Sequence, residues 1–406
     1  MNLFKIAWRN LWRNKRRTLI TAASLFFAVF FAIIMRSMAL GTYDLMIDSA
    51  VRQYSGFIQI QNKEYWKEKT IDELMTNSDS LHRLIENQDG VVSLLPRLES
   101  FALASSGNKT KGIILQGINP LVDDKMTGLS SRLVKGKYLT EADNGVVLAQ
   151  RLSSFLELNV GDTVVLLSQG YHGVTAANIF PVRGIVKVPN PTLDNRLIVT
   201  SIEAAQDFYG ASNMLTSLVV NIESKYDIDK VMAKVKKQLE GSDLSVLSWT
   251  DMNKELKQQI DSDNGSGKIM LAILYMVVFF GVLGTIIMLT AERKKEFAVM
   301  VSIGMQRFRL SVLVFIETIF IGFLGMLAGL IAAMPILLYY ANSPIRLTGE
   351  MAKTYETMGI EPLMGFSLQA DIFINQFIIV FFVLIIALIY PTIKIWSFNL
   401  INALKS

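Results

Sequence analysis

Gly265-Ser266-Gly267-Lys268 ends like a phosphate-binding loop, in which backbone amides cradle a phosphate and a lysine reaches its outer oxygens. The full pattern needs a glycine five places before the second glycine and a Ser or Thr after the lysine, and here Ser262 and Ile269 occupy those places. The segment also opens a long apolar run instead of following a buried strand, so nucleotide binding is not expected from it. His82 and His172 have no spacing that would build a metal site, and no metal is expected. Cysteine is absent, which removes thiol chemistry and disulfides. No pair of carboxylates shares an expected element with a nucleophile or a metal ligand. These residues offer no active site, so the chain is not expected to be an enzyme or to carry a cofactor of its own.

The residues that remain are suited to docking and packing, and long apolar elements must position them. Of the 406 residues 51% are hydrophobic and 18% charged, against about 25% charged in an ordinary soluble domain. The apolar excess is concentrated, giving expected spans at 18–41, 268–291, 310–340 and 371–393, each long enough for a bilayer, which takes about 20 residues. A cleaved secretory signal ending at Ser37-Met38-Ala39 competes for the first run. That run exceeds the roughly 7 to 15 residues of a signal core and continues past Arg36, so an uncleaved span is expected.

Lys and Arg mark cytoplasmic flanks. The first seventeen residues hold Lys5, Arg9, Arg13, Lys15, Arg16 and Arg17 and no acid, and 292–309 holds Arg293, Lys294, Lys295, Arg307 and Arg309 against Glu292 and Glu296. Both termini and this loop are therefore expected inside, with 42–266 and a loop at 341–370 outside and a short tail at 394–406 inside. Residues 41–265 carry 28 acids against 23 bases, so the net charge of +5 and the pI of about 9.1 reflect topology. A nucleic-acid surface would need its basic residues on the folded domain.

In 1–17, Phe4, Ala7, Trp8, Leu11 and Trp12 oppose Lys5, Arg9, Arg13 and Arg16, the pattern of an interfacial helix. In the outward domain an apolar stretch at 56–61, a helix at 78–87 capped by Ser78 and a strand at 91–95 are repeated as a strand at 218–222, a helix at 227–239 and a strand at 244–247. Between the copies, 146–148, 163–167 and 179–188 read as strands. The expected fold class is thus a membrane protein with four transmembrane α-helices and a large α/β periplasmic domain, a split strand-helix-strand layer with an inserted β-rich subdomain at about 113–190.

Three constellations stand out. In 292–309, Phe297, Met300 and Val301 form a short amphipathic stretch between charged ends, stopped near Gly304, suited to lying in a partner's groove. The third expected span carries Glu317, costly in lipid unless it faces protein or water, beside Gly322, Gly325, Gly329 and Ala333, a narrow face that lets another helix approach; oligomer packing is the expected use. The segment 168–178 is too long for a tight turn and reads as a loop, with Gln169, Tyr171 and His172 its candidate docking residues.

Taken together, Ala7-Trp8-Arg9-Asn10-Leu11, Arg293-Lys294-Lys295-Glu296-Phe297 with Ser302-Ile303-Gly304, Glu317 with its glycines, and Tyr390-Pro391 resemble the lipoprotein-releasing permeases of the LolC/LolE type, within the FtsX-like and MacB-like ABC transporter permeases. Gly145-Val146-Val147-Leu148, Leu158-Asn159-Val160-Gly161-Asp162 and Val182-Arg183-Gly184-Ile185-Val186 are similar to that branch, whereas Pro189-Asn190-Pro191 departs from its usual Ser-Gly pair. The resemblance implies a multi-pass protein of the bacterial inner membrane that extracts lipoproteins from the outer leaflet and passes them to a periplasmic carrier. It implies as partners a second permease, identical or paralogous, and two copies of a cytoplasmic ATPase that hold the ATP and Mg. Glu296, Phe297, Met300, Val301 and Gly304 would then couple to the ATPase, and Gln169, Tyr171 and His172 would dock the carrier. The outer halves of the first two spans, Phe30, Phe31, Ile34 and Met38 facing Met270, Ile273 and Met276, would hold acyl chains. A MacB-like efflux permease and an FtsX-like regulator of cell-wall hydrolases fit the same topology.

Overall fold

A computed structural model describes residues 3–13, 15–141, 143–223, 227–357 and 360–397. Residues 398–406 of the expected tail, and residues 2 and 14 of the expected first helix, lie outside the described residues. The chain divides into two compact units, one of residues 1–44, 259–345 and 363–406, the other of residues 45–258 and 346–362.

Among the described residues four helices are long and apolar enough to cross a membrane, Thr18–Val51, Lys254–Glu292, Arg307–Asn342 and Ala370–Ser397. They are referred to below as the first to fourth spans. A helix rises about 1.5 Å per residue against a hydrocarbon core of about 30 Å, so helices of this length run on past the bilayer. The helix that contains the expected span at 268–291 accordingly begins at Lys254. Within the first unit the spans close around Leu25, Val29, Ile33, Val282, Ala333, Val380 and Leu384. The glycines of the third span make this closeness possible: a Cβ on Gly325 would sit 2.7 Å from the carbonyl oxygen of Ala22, and one on Gly329 2.9 Å from that of Phe26. A Cβ on Gly322 would meet the Leu384 side chain at 2.2 Å. The small-residue face therefore packs on the first and fourth spans of the same chain, which corrects the expected use in oligomer packing.

In the second unit ten strands form one mixed sheet: β1 (Ile58–Asn62), β2 (Val91–Ser106), β3 (Lys109–Ile118), β4 (Leu133–Gly136), β5 (Val146–Ala149), β6 (Thr163–Gln169), β7 (Thr175–Val186), β8 (Leu197–Ser201), β9 (Ser217–Ile222) and β10 (Leu244–Ser248). Their order is β10-β1-β9-β2-β3-β8-β5-β7-β4, with β6 pairing β2 and β7. The first four, β10-β1-β9-β2, are antiparallel throughout. This is the interlocked order of a split β-α-β pair, in which each expected strand-helix-strand copy supplies one inner and one outer strand. Helices Asp79–Glu86 and Ile228–Gln238 cover it, burying Leu81, Ile85, Val231 and Val235. Ser78 caps the first of them, accepting a hydrogen bond from the Leu81 amide as expected.

The expected β-rich insertion has its own core but shares the sheet of the split layer. The sixteen residues of β2 run out of the split layer, pair with β3 over residues 97–106 and with β6 over 103–105, and so carry the same sheet into a second core around Leu98, Ile113, Leu148, Leu152, Val164, Leu166 and Phe180. Several elements had no counterpart in the sequence reading, among them the helices Pro120–Thr127, Gln150–Leu156 and Ile202–Tyr209 and the two that follow. Strand β8 lies beside β3 and β5. Helix Gly349–Thr357, inside the expected outer loop at 341–370, belongs to the second unit, where Glu356 pairs with Arg151 and Arg151 in turn with Asp194.

Candidate functional site

The loop between the second and third spans folds as a helix, Lys294–Ser302, separated from the second span by Arg293 alone. Backbone bonds from Arg293 N to Leu289 O and from Phe297 N to Arg293 O carry the helical pattern across this break. Gly304, with φ of 100°, ends the helix as expected, and its amide donates to Val301 O.

Phe297 is 3% exposed and packs with Ala7, Ala298, Leu310, Leu313, Val314, Leu388 and Ile395; Met300 and Val301 lean on the same cluster. The amphipathic stripe read from the sequence therefore faces this chain's own core, with Phe297 buried there and Met300 and Val301 half-buried. The reason is physical: a stripe records that one side is apolar, and the nearest apolar surface to cover it is the N-terminal helix Leu3–Arg13 with the N-terminal end of the third span. The free side of the loop helix carries Lys295, Val299 and, just beyond its end, Ile303, which is 82% exposed. Val299 and Ile303 are four residues apart, a spacing that could have marked them as a second apolar pair.

A charged network anchors the helix. Arg293 donates to both carboxylate oxygens of Glu317, Nη2 to Oε1 at 3.2 Å, and both side chains are about nine-tenths buried. Asn10 Nδ2 of the N-terminal helix donates to Glu317 Oε1 at 2.6 Å. Arg293 Nε also reaches Glu296 Oε2 at 3.3 Å, and Arg13 pairs with the same carboxylate. The guanidinium sits 5.1 Å from the centre of the Phe297 ring. Glu317 thus faces protein, and its partners Arg293 and Asn10 were not identified from the sequence. The N-terminal helix packs on the third span, with Phe4 and Trp8 edge-on to Phe320.

In the second unit, β6 and β7 pair without interruption up to Gln169 opposite Thr175, so the expected loop 168–178 shrinks to a turn at Gly170–Val174. Tyr171 packs against the larger core, and the His172 amide, in a left-handed conformation with φ of 53°, donates to Asp72 Oδ1 at 2.7 Å. Gln169 is exposed. The hairpin has a different feature of interest. Val164, Leu166, Ala176 and Phe180 are buried on one face, while on the other Val165 and Leu167 of β6, Ile179 of β7, and Phe101 and Leu103 of β2 are exposed. Leu103 lies directly opposite Leu167, and Val165 opposite Ile179. An outer sheet face of this kind usually carries polar residues. Here it is an apolar strip bordering a groove of about 540 Å³ lined by Lys69, Ile71, Asp72, Phe101, Leu103 and Leu167.

The expected acyl-holding residues are not brought face to face in this chain. Phe30 and Ile34 lean on the core of the first unit, whereas Phe31, Met270, Ile273 and Met276 are about half exposed or more and point away from it; Met38 is half-buried. The second span turns Leu271, Leu274, Tyr275 and Val278 toward that core instead, one helical face away from the residues singled out.

The family model described as the MacB-like periplasmic core domain matches residues 18–238, and that described as the FtsX-like permease C-terminal matches 268–400. The chain is 22% identical over 272 residues to the lipoprotein-releasing system transmembrane protein LolC of Neisseria meningitidis serogroup B, covering 65% of each chain. It is 20% identical over 342 residues to LolE of Haemophilus influenzae, covering 80% of this chain and 78% of that one. The matches thus span less than two thirds of the length of the LolC relatives, 65% for the Neisseria protein and 60% for those of Xylella fastidiosa. Among solved structures, the periplasmic region of MacB from Actinobacillus actinomycetemcomitans is similar over 51% of this chain and 93% of that one, at 18% identity and a TM-score of 0.35. Four apolar spans, the mixed-sheet domain and two adjoining family matches agree: the chain belongs to the membrane permeases that join a MacB-like periplasmic core domain to an FtsX-like C-terminal region, and its curated relatives there include proteins of the LolC and LolE type.

Proposed function

We propose that this chain is the permease subunit of an ATP-driven machine of the bacterial inner membrane that lifts lipoproteins out of the outer leaflet and hands them to a periplasmic carrier. In this reading both termini are cytoplasmic, a second permease completes the pathway, and two ATPase subunits supply ATP and Mg outside this chain. The reading needs no chemistry from the permease. Each buried methylene of an acyl chain holds a lipoprotein by about 0.8 kcal/mol, so three chains amount to tens of kcal/mol, which only external work offsets.

The observation that carries this reading is the apolar strip on the outer face of the β6–β7 hairpin. A carrier for acylated proteins must itself be open to apolar contact, and Leu103, Val165, Leu167 and Ile179 offer cross-strand pairs on a rigid sheet. Docking through this strip replaces docking through Tyr171 and His172 at the turn. On the cytoplasmic side, Val299 and Ile303 are the proposed anchors for the ATPase, with Glu296 and Lys295 beside them.

The test is to purify the chain with its partners from membranes and identify bound lipoproteins by mass spectrometry, alongside carrier pull-down. Acylated proteins on the wild type, with the carrier lost on Leu167→Asp/Ile179→Asp, support the proposal. An absence of any lipoprotein or carrier overturns it in favour of efflux or regulation of cell-wall hydrolases.

A further inference from the structure

Glu317 is the point where three separate segments of the first unit meet. The third span bears it, the N-terminal helix reaches it through Asn10, and the break between the second span and the loop helix reaches it through Arg293. Arg293 is the single residue between those two helices, so the loop helix cannot rotate about its break without moving a guanidinium held by two bonds to the third span. A two-pronged arginine–carboxylate pair fixes direction as well as distance. An ionised group inside a span is held there only by such partners. A cavity of about 30 Å³ lies beside the pair, bounded by Thr21, Thr290 and Thr318.

We propose that the Arg293–Glu317 pair is the joint that makes the loop helix and the third span move as one body, and that Glu317 is a positioning residue for the coupling of ATP hydrolysis to transport. The proposal rests on the reading that the loop helix docks an ATPase. Its distinguishing property is that cutting the joint leaves docking in place and removes the use made of it. Val299 and Ile303, the docking residues, lie on the opposite side of the loop helix from the pair's neighbour Phe297.

The experiment compares wild type, Glu317→Gln, Arg293→Gln and the double variant as full complexes in nanodiscs, measuring bound ATPase, ATP turnover and lipoprotein released per ATP. Spin labels at Ser302→Cys, on the loop helix but outside the Val299 and Ile303 docking pair, and at Phe323→Cys report in parallel the distance between the loop helix and the third span. The double variant removes both charges together, so it remains informative if a single variant, with one charge left buried, does not fold. With the joint cut, the ATPase stays bound and active, release per ATP falls at least tenfold, and the single narrow distance distribution broadens. Wild-type release per ATP, an unbroadened distribution, or loss of the ATPase itself overturns the proposal. If even the wild type releases no lipoprotein, the functional reading fails, and the distance distribution alone decides whether the joint exists.

Discussion

Ile303→Asp and Phe297→Ala should separate docking from folding. Ile303 is 82% exposed in this chain, so replacing it removes almost no buried contact and the thermal midpoint should hold. On docking, a fully covered isoleucine contributes about 1.5–3 kcal/mol. At 1.4 kcal/mol per decade its loss weakens ATPase binding about tenfold to a hundredfold, and the added charge makes the loss larger. Phe297 is 3% exposed within a cluster reaching from Ala7 to Ile395, and truncating a buried phenylalanine costs about 3–5 kcal/mol. That should appear as lower expression and an earlier thermal transition before any binding is measured. Titrating the purified ATPase onto nanodisc-held permease gives the affinity, and intrinsic fluorescence on heating gives the stability. The reasoning fails if Ile303→Asp binds like wild type, or if Phe297→Ala melts normally yet loses the ATPase.

Leu167→Asp/Ile179→Asp should leave the melting temperature within a degree or two and abolish carrier pull-down, whereas His172→Ala, at the turn, should leave pull-down unchanged; the opposite pattern moves docking back to the turn. Gly325→Val places new carbon within 2.7 Å of the Ala22 carbonyl, a backbone atom that cannot give way as a side-chain end can, so the first and third spans must part. Over-packing costs about 1–3 kcal/mol, read as a lower midpoint in detergent, while Gly284→Val on the second span, where nothing lies within 4 Å, should be neutral in the isolated chain. For topology, cysteines at Asn108 and Asn159 should react with an impermeant thiol reagent in cells whose inner membrane is intact, and one at Gln306 should not; labelling at Gln306 sinks the ends-inside arrangement.

Local signals carried much of the architecture. Ser78 capped its helix and Gly304 stopped the loop helix because both effects act within a few residues. The two strand-helix-strand copies were legible from period-2 and period-3.6 patterns, each bounded by a glycine. What stayed hidden depended on distant partners. Glu317 gave notice that something must face it, but Arg293 and Asn10 come from other elements, and no spacing rule connects them. Ala176 to Asn178 are poor strand formers and became strand because β6 offered a ladder to pair with. The direction of the Phe297 stripe could not be read because a helical moment says which side is apolar, and what covers that side is a tertiary matter.

The interlocked order β10-β1-β9-β2 also sets when the second unit can fold. Strand β1 leaves the ribosome early, yet Ile58 pairs with Val220 on one side and Ser248 on the other, so both of its neighbours are made long after it. Until then β1, with Ile58 and Ile60 destined to be fully buried, has two bare edges. Pairing across such separations is slow, because the intervening loop must close before any contact offsets its entropy. The first span precedes β1 in the chain, so the domain's most exposed intermediate waits while already tethered to the membrane, and an unpaired strand in that state is open to aggregation. Substitutions that raise β1's solubility in isolation, such as Asn62→Lys at its half-buried end, should therefore raise the yield of the inserted protein at elevated temperature, whereas Gln59→Lys should lower it by burying a charge between Val219 and Leu247.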